Sequence, residues 1–320
     1  MPKNQNLHKA KKEKNDEFYT QLIDIERELQ HYTTHLNGKT IYCNCDSPNS
    51  QFVHYFKENF HTLQLKKLIA TSFNPNGQGT YLEYDGKETL MENLIGSGDF
   101  RSVECSNLLK EADIVITNPP FSLFNECVQQ VQNANKEFLL IGTWNAISYK
   151  EIFTLIAQNK LWMGVNRNRD FSGFIIPGRY TLYGTEARID EWGNRIVSSN
   201  NTCWFTNLTH SKRNQTLTLT KTYNPIDYPH YDNYDGINVN KTKDIPKDYK
   251  GHIGVPITFL DKYNPNQFEI VRFRKGNDKK DLKVNGNALI SESSSNIKNS
   301  PNIHIYLSKS EQHGGLYHNL

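Results

Sequence analysis

The 320-residue chain predicts an α/β protein built on a mostly parallel sheet with helices on both faces. In its first half, short apolar runs rich in β-branched residues alternate with segments that place apolar residues at helical spacing. Such alternation is typical of parallel strands joined by helices. After about residue 165, aromatic and Gly-rich strands replace the helical periodicity, which indicates a different architecture for the rest of the chain.

The first elements are expected in a regular order. Leu22, Ile25 and Leu29 recur at helical spacing in TQLIDIERELQHY, which predicts an amphipathic helix that opens the fold. A strand is expected in KTIYCNC, a helix in SQFVHYFKENF and a second strand in LKKLIATSF. GTYLEYDGKETLMENL carries the turn signal Asp85-Gly86 and is expected to form a hairpin or an irregular insertion.

The series continues with a short helix in RSVECSNLLKEA, a strand in DIVIT, a helix in LFNECVQQVQNA and a strand in EFLLIGTW. Parallel strands of an open sheet end at the same edge, and ligands bind beyond their carboxyl ends. The residues that follow DIVIT are therefore expected at a ligand-binding edge.

Composition predicts a soluble, cytoplasmic protein that does not associate with membranes. Hydrophobic residues make up 36% of the chain, and the mean hydropathy is −0.70. No apolar run approaches the roughly 20 residues that a membrane helix needs. The N-terminal segment is polar and Lys-rich, unlike a secretory signal. The five cysteines fit reduced thiols, and Cys43 and Cys45 have no companion cluster at ligand spacing, so no metal is expected.

Positive charge is unevenly distributed. Residues 1–150 hold 15 Lys and Arg against 18 Asp and Glu, whereas residues 151–320 hold 22 against 16. A further group of lysines lies in a basic arm predicted at residues 1–15. Basic segments outside a catalytic core suit a protein that binds a polyanion, although each could also be a solvated surface. The candidates for contacts with a polyanion are Lys11, Lys12, Lys14, Trp204, Arg213, Arg272, Arg274 and Lys275.

The strand DIVIT runs directly into Asn118, Pro119, Pro120 and Phe121. Proline cannot donate a ladder hydrogen bond, and it restricts the residue before it, so the chain leaves the sheet in a stiff conformation. A rigid loop there can aim the Asn118 side-chain oxygen and the Pro119 carbonyl at one planar amino group, with Phe121 beside it. The alternative is a simple strand terminator in which Asn118 is a turn residue.

An N-P-P-[FYW] motif after an apolar strand resembles the catalytic loop of the S-adenosyl-L-methionine-dependent amino methyltransferases, which act on adenine in DNA, adenine in RNA or a glutamine amide. DEFYT at residues 16–20 and GDF at residues 98–100 resemble two further motifs of these enzymes, in the order found in DNA adenine methyltransferases. Together, LHKAKKEKNDEFYTQ, YCNCDSP, TNPPFSLF and GVPITFLDKYNPNQFEIV resemble the EcoRI-type adenine-specific modification methylases along nearly the whole chain.

The resemblance implies roles for single residues. Asn118 and Pro119 would accept from the adenine amino group, Pro120 would stiffen the loop, and Phe121 would stack on the extruded base. Methyl would pass directly from the sulfonium of S-adenosyl-L-methionine. The residues implied in binding that cofactor are Tyr19 and Thr20 near its methionine part, Asp99 and Phe100 near its adenine, and Asn44, Asp46 and Ser47 in the turn after the first strand.

Two positions depart from the family pattern. The turn CNCDSPNS lacks a G-x-G, so glycine does not secure a close backbone approach to the cofactor there. No acidic residue ends the strand KLIATSF, where related enzymes bind the ribose hydroxyls. Glu83 or Asp46 is the candidate substitute.

The resemblance thus implies a site-specific DNA adenine N6-methyltransferase that extrudes its target base from double-stranded DNA. Residues 16–210 would form the cofactor-binding and catalytic domain, and residues 211–320 the target-recognition region. The enzyme would serve a restriction-modification system whose cognate endonuclease acts without a stable complex. Two alternatives remain open: methylation of RNA adenine or protein glutamine, and a non-catalytic DNA-binding protein on a methyltransferase fold.

Overall fold

A computed structural model of the chain describes residues 18–178, 187–198, 200–231, 234–274 and 304–309. The chain divides into two compact units, one comprising the residues up to Ile156 with Lys160–His210, the other Ala157–Asn159 with the residues from Ser211 onward. The basic arm at residues 1–15 lies outside the described residues. The activities assigned to residues 16–210 and 211–320 stay predictions.

The first unit contains two sheets and most of the helices. Its strands are β1 (Tyr19–Thr20), β2 (Thr40–Cys43), β3 (Lys67–Ser72), β4 (Thr80–Tyr84), β5 (Thr89–Asn93), β6 (Ile114–Thr117), β7 (Glu137–Thr143), β8 (Trp162–Arg167), β9 (Phe174–Ile175), β10 (Ala187–Ile189), β11 (Arg195–Val197) and β12 (Thr202–Thr206). The α-helices in the described part of the chain are α1 (Leu22–Leu29), α2 (Thr33–Leu36), α3 (Gln51–Glu58), α4 (Val103–Glu111), α5 (Phe124–Asn133) and α6 (Lys150–Ala157).

The larger sheet has eight strands in the order β5-β4-β3-β2-β6-β7-β12-β8. The central strands β3, β2, β6 and β7 are parallel, whereas β4 and β12 run against their neighbours. Six of the eight strands therefore point in one direction. The α/β class with a large sheet is confirmed, and the Asp85-Gly86 segment forms the predicted hairpin, β4–β5. The carboxyl ends of β3, β2 and β6 meet at one edge.

Burial explains why these segments take up their elements. Every residue of β2 and β6 is buried, as expected for the continuous apolar runs of central strands. The predicted first helix is confirmed, since α1 buries Ile25 and Leu29 completely. The helix α3 buries Phe52 and Phe56, and the Ser50 hydroxyl caps it by accepting from the Val53 N–H at 3.2 Å.

A four-stranded antiparallel sheet, β1-β9-β11-β10, accompanies the larger one. In it the short strand β1 pairs with β9, so that Tyr19 lies opposite Ile175 and Thr20 opposite Phe174. No local pattern predicts this pairing, because it joins segments more than 150 residues apart. It brings the start of the described chain to the residues that follow β8.

The second unit contains a five-stranded sheet in a mixed arrangement. Its strands are β13 (His230–Tyr231), β14 (Tyr234–Asn238), β15 (His252–Pro256), β16 (Phe268–Arg274) and β17 (His304–Lys309). They are ordered β13-β14-β15-β17-β16, and only β14 and β15 pair in parallel among these strands. Ile237, Ile253, Val255, Phe259 and Phe268 are fully buried, so this unit has its own apolar core.

No described helix is long and apolar enough to cross a membrane. Cys43 is buried in β2, and Cys45 is half-buried in the turn that follows. Within the described part of the chain, no group of three or more His, Cys, Asp and Glu side chains is arranged to hold a metal ion.

A buried carboxylate fastens α1 to β8. The Glu28 side chain accepts hydrogen bonds from the backbone N–H groups of Val165 (2.7 Å) and Asn166 (2.8 Å) and from the Tyr32 hydroxyl (2.8 Å). A Cβ atom on Gly164 would clash with Glu28 Oε1, so only glycine allows this approach. Burial raises the pKa of Glu28 to about 6, against the opposing effect of its hydrogen bonds.

We expect Glu28→Gln to lower the free energy of unfolding by about 1–3 kcal/mol at pH 5, because an amide nitrogen, which donates, would replace one of the two oxygens that each accept a backbone N–H. The raised pKa means that the stability contributed by Glu28 is present below its ordinary pKa and is lost as the pH rises through about 6. The substitution should therefore cost less at pH 8 than at pH 5. Urea unfolding at both pH values measures the difference.

Glu26→Gln is the matched control, because Glu26 lies exposed on the same helix. It should change the free energy of unfolding by less than about 0.5 kcal/mol at either pH. Equal effects of the two substitutions would contradict the role given to Glu28.

Candidate functional site

The Asn118 side chain is fixed in one orientation at the carboxyl end of β6. Its Nδ2 donates to the Phe18 carbonyl at 2.6 Å and to Thr20 Oγ1 at 3.2 Å. A backbone carbonyl only accepts, so the amide nitrogen must face Phe18 and the oxygen must face away from it. Asn118 Oδ1 is buried and has no hydrogen-bond partner among the described residues. A buried acceptor without a donor is costly, which indicates that a ligand donor belongs there.

The two prolines carry the chain from β6 into α5. Pro119 is buried, and Pro120 has extended backbone angles, φ −51° and ψ 127°. The Pro120 carbonyl accepts from the Leu123 N–H at 2.8 Å, within the short 3₁₀ turn Phe121–Leu123. No hydrogen bond to the Pro119 carbonyl occurs within the described residues. The carbonyl of Pro119, the residue after Asn118, is thus available as a second acceptor.

Phe121 lies in an aromatic cluster next to Asn118. Its ring stacks on Phe18 with 5.4 Å between centroids and 19° between planes. It also meets Phe174 edge to face at 6.0 Å. One face of Phe121 is therefore covered by Phe18, and a stacking base would use the other face or displace Phe18. The predicted contact with a base stays a prediction.

The buried carboxylate of Asp46 joins the turn after β2 to the residues that end β6. Asp46 Oδ2 accepts from Thr117 Oγ1 at 2.5 Å, and the carboxylate also accepts from the Ser50 hydroxyl and the Asn118 backbone N–H. The Asp46 N–H donates to the Thr71 carbonyl at the end of β3 (3.1 Å). Burial raises the pKa of Asp46 to about 7, and its three hydrogen bonds oppose that shift.

Asn44 and Ser47 occupy the same turn with different exposure. Asn44 is buried, its side chain hydrogen-bonds to the Cys127 thiol, and its Oδ1 is buried with no partner among the described residues. The Thr71 hydroxyl donates to the Asn44 carbonyl at 3.3 Å. Ser47 is exposed, and its carbonyl accepts from the Ser50 N–H at 2.9 Å. The turn thus presents one unused buried acceptor, Asn44 Oδ1.

Asp99 and Phe100 already have partners within the chain. The Asp99 carboxylate accepts from Arg101 Nε at 2.9 Å and Nη2 at 2.6 Å, and this guanidinium holds the Asp99 pKa below its ordinary value. Phe100 is 4% exposed, and the Arg101 guanidinium lies 5.6 Å from its ring centroid. Gly98, with φ +79°, lies so close to the Ser72 carbonyl that any Cβ would clash. The loop is therefore held against the end of β3.

Tyr19 and Thr20 differ in exposure although both lie in β1. Tyr19 is 48% exposed, whereas Thr20 is buried and bonded to Asn118.

The suggestion that Glu83 replaces the missing ribose acid is corrected. Glu83 pairs with Lys67 at the start of β3 (3.1 Å), away from the carboxyl edge, and accepts from the Tyr81 hydroxyl at 2.5 Å.

Trp204 does not contact DNA, which corrects the sequence prediction. It lies in β12 with 0% exposure, where its ring packs against Phe52 at 6.1 Å and stacks on Phe171 at 6.0 Å. An aromatic residue in a polar segment looks like a base-stacking platform in the sequence, but a ring with no exposed surface cannot meet a nucleic acid.

Arg213 is corrected for a similar reason. Its guanidinium donates to the Tyr263 carbonyl at 3.0 Å and to Asn159 Oδ1 at 2.7 Å, and it lies 5.0 Å from the Tyr263 ring centroid. The residue is 7% exposed, and burial lowers its pKa. Arg213 therefore holds the second unit together instead of facing phosphate.

The other predicted DNA contacts remain predictions. Arg272 and Arg274 lie in β16, and their side chains are outside the described part of the structure. The remaining candidates lie outside the described residues altogether: Lys11, Lys12, Lys14 and Lys275.

Three contributors to the site were not identified from sequence: the Phe18 carbonyl, the Thr117 hydroxyl and the Ser50 hydroxyl. Phe18 belongs to the DEFYT motif, and Thr117 directly precedes Asn118, so both were next to assigned residues. Thr117 bonds to a residue 71 positions away and Phe18 to one 100 positions away, however, so residue type alone gives no signal for these two pairs.

Several known proteins are similar to this chain. The family described as adenine-specific methyltransferase EcoRI matches residues 6–310. A protein of Escherichia coli named Type II methyltransferase M.EcoRI is 54% identical over 304 residues, which cover 88% of this chain and 93% of that protein.

Two mycoplasma proteins are also similar. Type II methyltransferase M.MgeORF184P of Mycoplasma genitalium is 43% identical over 83% of this chain and 85% of its own length. Type II methyltransferase M.MpnI of Mycoplasma pneumoniae is 40% identical over 83% of this chain and 84% of its own length. No solved structure matches the chain significantly. The chain therefore belongs to the EcoRI family of adenine-specific methyltransferases.

Proposed function

We propose that the chain is a site-specific DNA adenine N6-methyltransferase that uses S-adenosyl-L-methionine. The observation that carries this proposal is the buried, unpartnered Oδ1 of Asn118, held in place by Phe18 and Thr20. An acceptor with this geometry suits the amino group of adenine. Family membership supports adenine as the methyl acceptor, and the names of the relatives support DNA as its carrier.

The residues at the carboxyl edge of the sheet fit the cofactor. Asn44 Oδ1 is a second buried acceptor without a partner among the described residues, and it suits an amine or hydroxyl donor. We assign Tyr19, Thr20, Ser47, Asp99 and Phe100 to the same site. When bound, the cofactor supplies an electrophilic methyl group on its sulfonium.

The protein's contribution to transfer is positioning and electrostatic stabilisation. Asn118 Oδ1 and the Pro119 carbonyl would accept the two hydrogens of the adenine amino group. That pair of acceptors orients the group and helps to localise its lone pair, which is otherwise delocalised into the ring. The bonds from Asn118 Nδ2 to Phe18 and Thr20 keep the acceptor from rotating away. No covalent bond between the protein and the base is required.

The target adenine must leave the duplex to reach Asn118. Extrusion costs a few kcal/mol of unpairing and unstacking, which contacts in the pocket offset. We assign base stacking to Phe121, on the face that Phe18 leaves uncovered.

We further propose that residues 16–210 form a Rossmann-like catalytic domain and residues 211–320 a target-recognition region. The parallel order β3-β2-β6-β7 supports the first assignment. The Type II names of the relatives support a cytoplasmic restriction-modification system with a separate cognate endonuclease. The family description, which specifies adenine, disfavours glutamine as the substrate.

Asn118→Ala should lower methyl transfer to DNA at least about 100-fold, because it removes both the acceptor and the bonds that aim it. Calorimetric affinity for S-adenosyl-L-methionine should change little. The measurement is incorporation of labelled methyl into DNA, followed by base analysis. N6-methyladenine should carry all the label.

Asn93→Ala is the matched control, since Asn93 is exposed on β5, and it should transfer methyl like the unmodified chain. Transfer that survives Asn118→Ala would refute the proposed role of Asn118. Label found only in RNA or protein would show that RNA or protein, and not DNA, is the substrate. DNA binding without cofactor binding would indicate a non-catalytic protein.

DNA affinity should fall as salt rises, because contacts with phosphate release condensed counterions. Each contact contributes roughly 0.9 to the steepness of the slope of log K against log salt. Replacing Lys11, Lys12 and Lys14 with Gln should lower the slope by up to about 2.7. Fluorescence anisotropy on a labelled duplex from 50 to 200 mM salt measures the slope. An unchanged slope would remove the basic arm from the DNA contacts.

A further inference from the structure

The Asp46 carboxylate is buried and accepts hydrogen bonds mainly from the chain itself. It is 7% exposed, and its acceptor capacity serves groups of the chain itself: the hydroxyls of Thr117 and Ser50 and the backbone N–H of Asn118. These three donors use most of the roughly four acceptor positions of a carboxylate, which leaves little capacity for a pair of ribose hydroxyls. The sequence expectation that Asp46 binds the ribose therefore does not follow from its contacts.

Two of these contacts hold the end of β6 and the residue that follows it. Thr117 is the last residue of β6 and Asn118 the first after it, so the carboxylate holds two consecutive residues at the point where the chain leaves the sheet. The Asn118 side chain is held separately, by Phe18 and Thr20. Asp46 therefore fixes the backbone position of Asn118, and Phe18 and Thr20 fix the orientation of its side-chain amide.

We propose that Asp46 is a positioning residue for methyl transfer, which holds the Asn118 backbone so that Oδ1 meets the reacting amino group. This inference rests on the proposed function. Hydrogen bonds to an ionised acceptor are stronger than those to a neutral one, so the grip on Asn118 is firmest when Asp46 is charged. A displacement of about 1 Å at a reacting group can cost on the order of 100-fold in rate.

The surroundings of Asp46 make its protonation state matter. The groups that act on it from the start of α3 and from the end of β6 are uncharged: the Ser50 hydroxyl, the Thr117 hydroxyl and the Asn118 N–H. On its own strand and turn, the titratable neighbours are Cys43 and Cys45, and burial raises the pKa of both thiols well above the ordinary value. Both thiols thus stay neutral near pH 7, and Asp46 itself titrates there.

Protonation of Asp46 would place an O–H donor among groups that mainly donate hydrogen bonds themselves. The hydroxyls of Thr117 and Ser50 can reverse their direction, but the Asn118 N–H cannot. As the pH falls through about 7, the bond to Asn118 loses its charge-assisted character and kcat should decrease. Asp46→Asn removes the titration.

The experiment compares kcat, KM for DNA and cofactor affinity between pH 5.5 and 9 in the unmodified chain and in Asp46→Asn. We expect Asp46→Asn to lower kcat about 10- to 100-fold at pH 8 while the calorimetric Kd for S-adenosyl-L-methionine changes less than about 3-fold. The acid limb of the kcat profile near pH 7 should be absent in the variant.

Thr117→Val provides a second variant that leaves the Asp46 charge in place and removes one donor. It should lower kcat in the same direction, and Thr117→Ser, which restores the hydroxyl, should recover it. Asp85→Asn is the charge-matched control, because Asp85 lies in the β4–β5 turn, outside the site, and should leave kcat unchanged.

The outcomes separate this inference from the proposed function. An unmodified chain that transfers no methyl to DNA would refute the proposed function. If the unmodified chain is active and Asp46→Asn keeps its kcat and its acid limb, only the positioning role fails. A loss of cofactor affinity that equals the loss in kcat/KM, with kcat unchanged, would make Asp46 a cofactor ligand and overturn the inference.

Discussion

The hydrogen bond from Asn118 Nδ2 to the Phe18 carbonyl is the constraint on which the site depends. It decides which end of a nearly symmetric amide faces the buried acceptor position, and a flip would put two donors where an acceptor is needed. Phe18 directly precedes β1, which pairs with β9 in the smaller sheet. The large sheet supplies the strand end at Asn118, whereas the small sheet supplies the orientation of its side chain.

In two places within the described residues, a buried carboxylate holds distant segments of the chain together. Glu28 fastens α1 to β8, and Asp46 fastens the turn after β2 to the end of β6. In both residues burial raises the pKa, so each carboxylate is destabilised by lost solvation and stabilised by the donors around it. Removing one partner from such a group is costly, and this cost enforces a single arrangement of the donors.

Local pattern predicted much of the fold and the centre of the site. The helix α1, the strands β2 and β6 and the β4–β5 hairpin follow from spacing, β-branched residues and the Asp85-Gly86 turn. Asn118 was identified because prolines after a buried strand are unusual. Trp204 was misassigned because residue type does not reveal burial. The contact of Asp46 with Thr117 was missed because it spans 71 positions, and only the order of strands in the sheet brings them together.

The strand β1 has only two residues, yet it and the preceding Phe18 hold the side chain of Asn118. Seventeen residues precede Phe18, and its carbonyl and the Thr20 hydroxyl hold the Asn118 amide. The first described residues of the chain therefore hold the catalytic side chain. Removing residues 1–15 would take away only what the basic arm contributes, whereas removing residues 1–20 would also release the Asn118 amide that aims the catalytic oxygen.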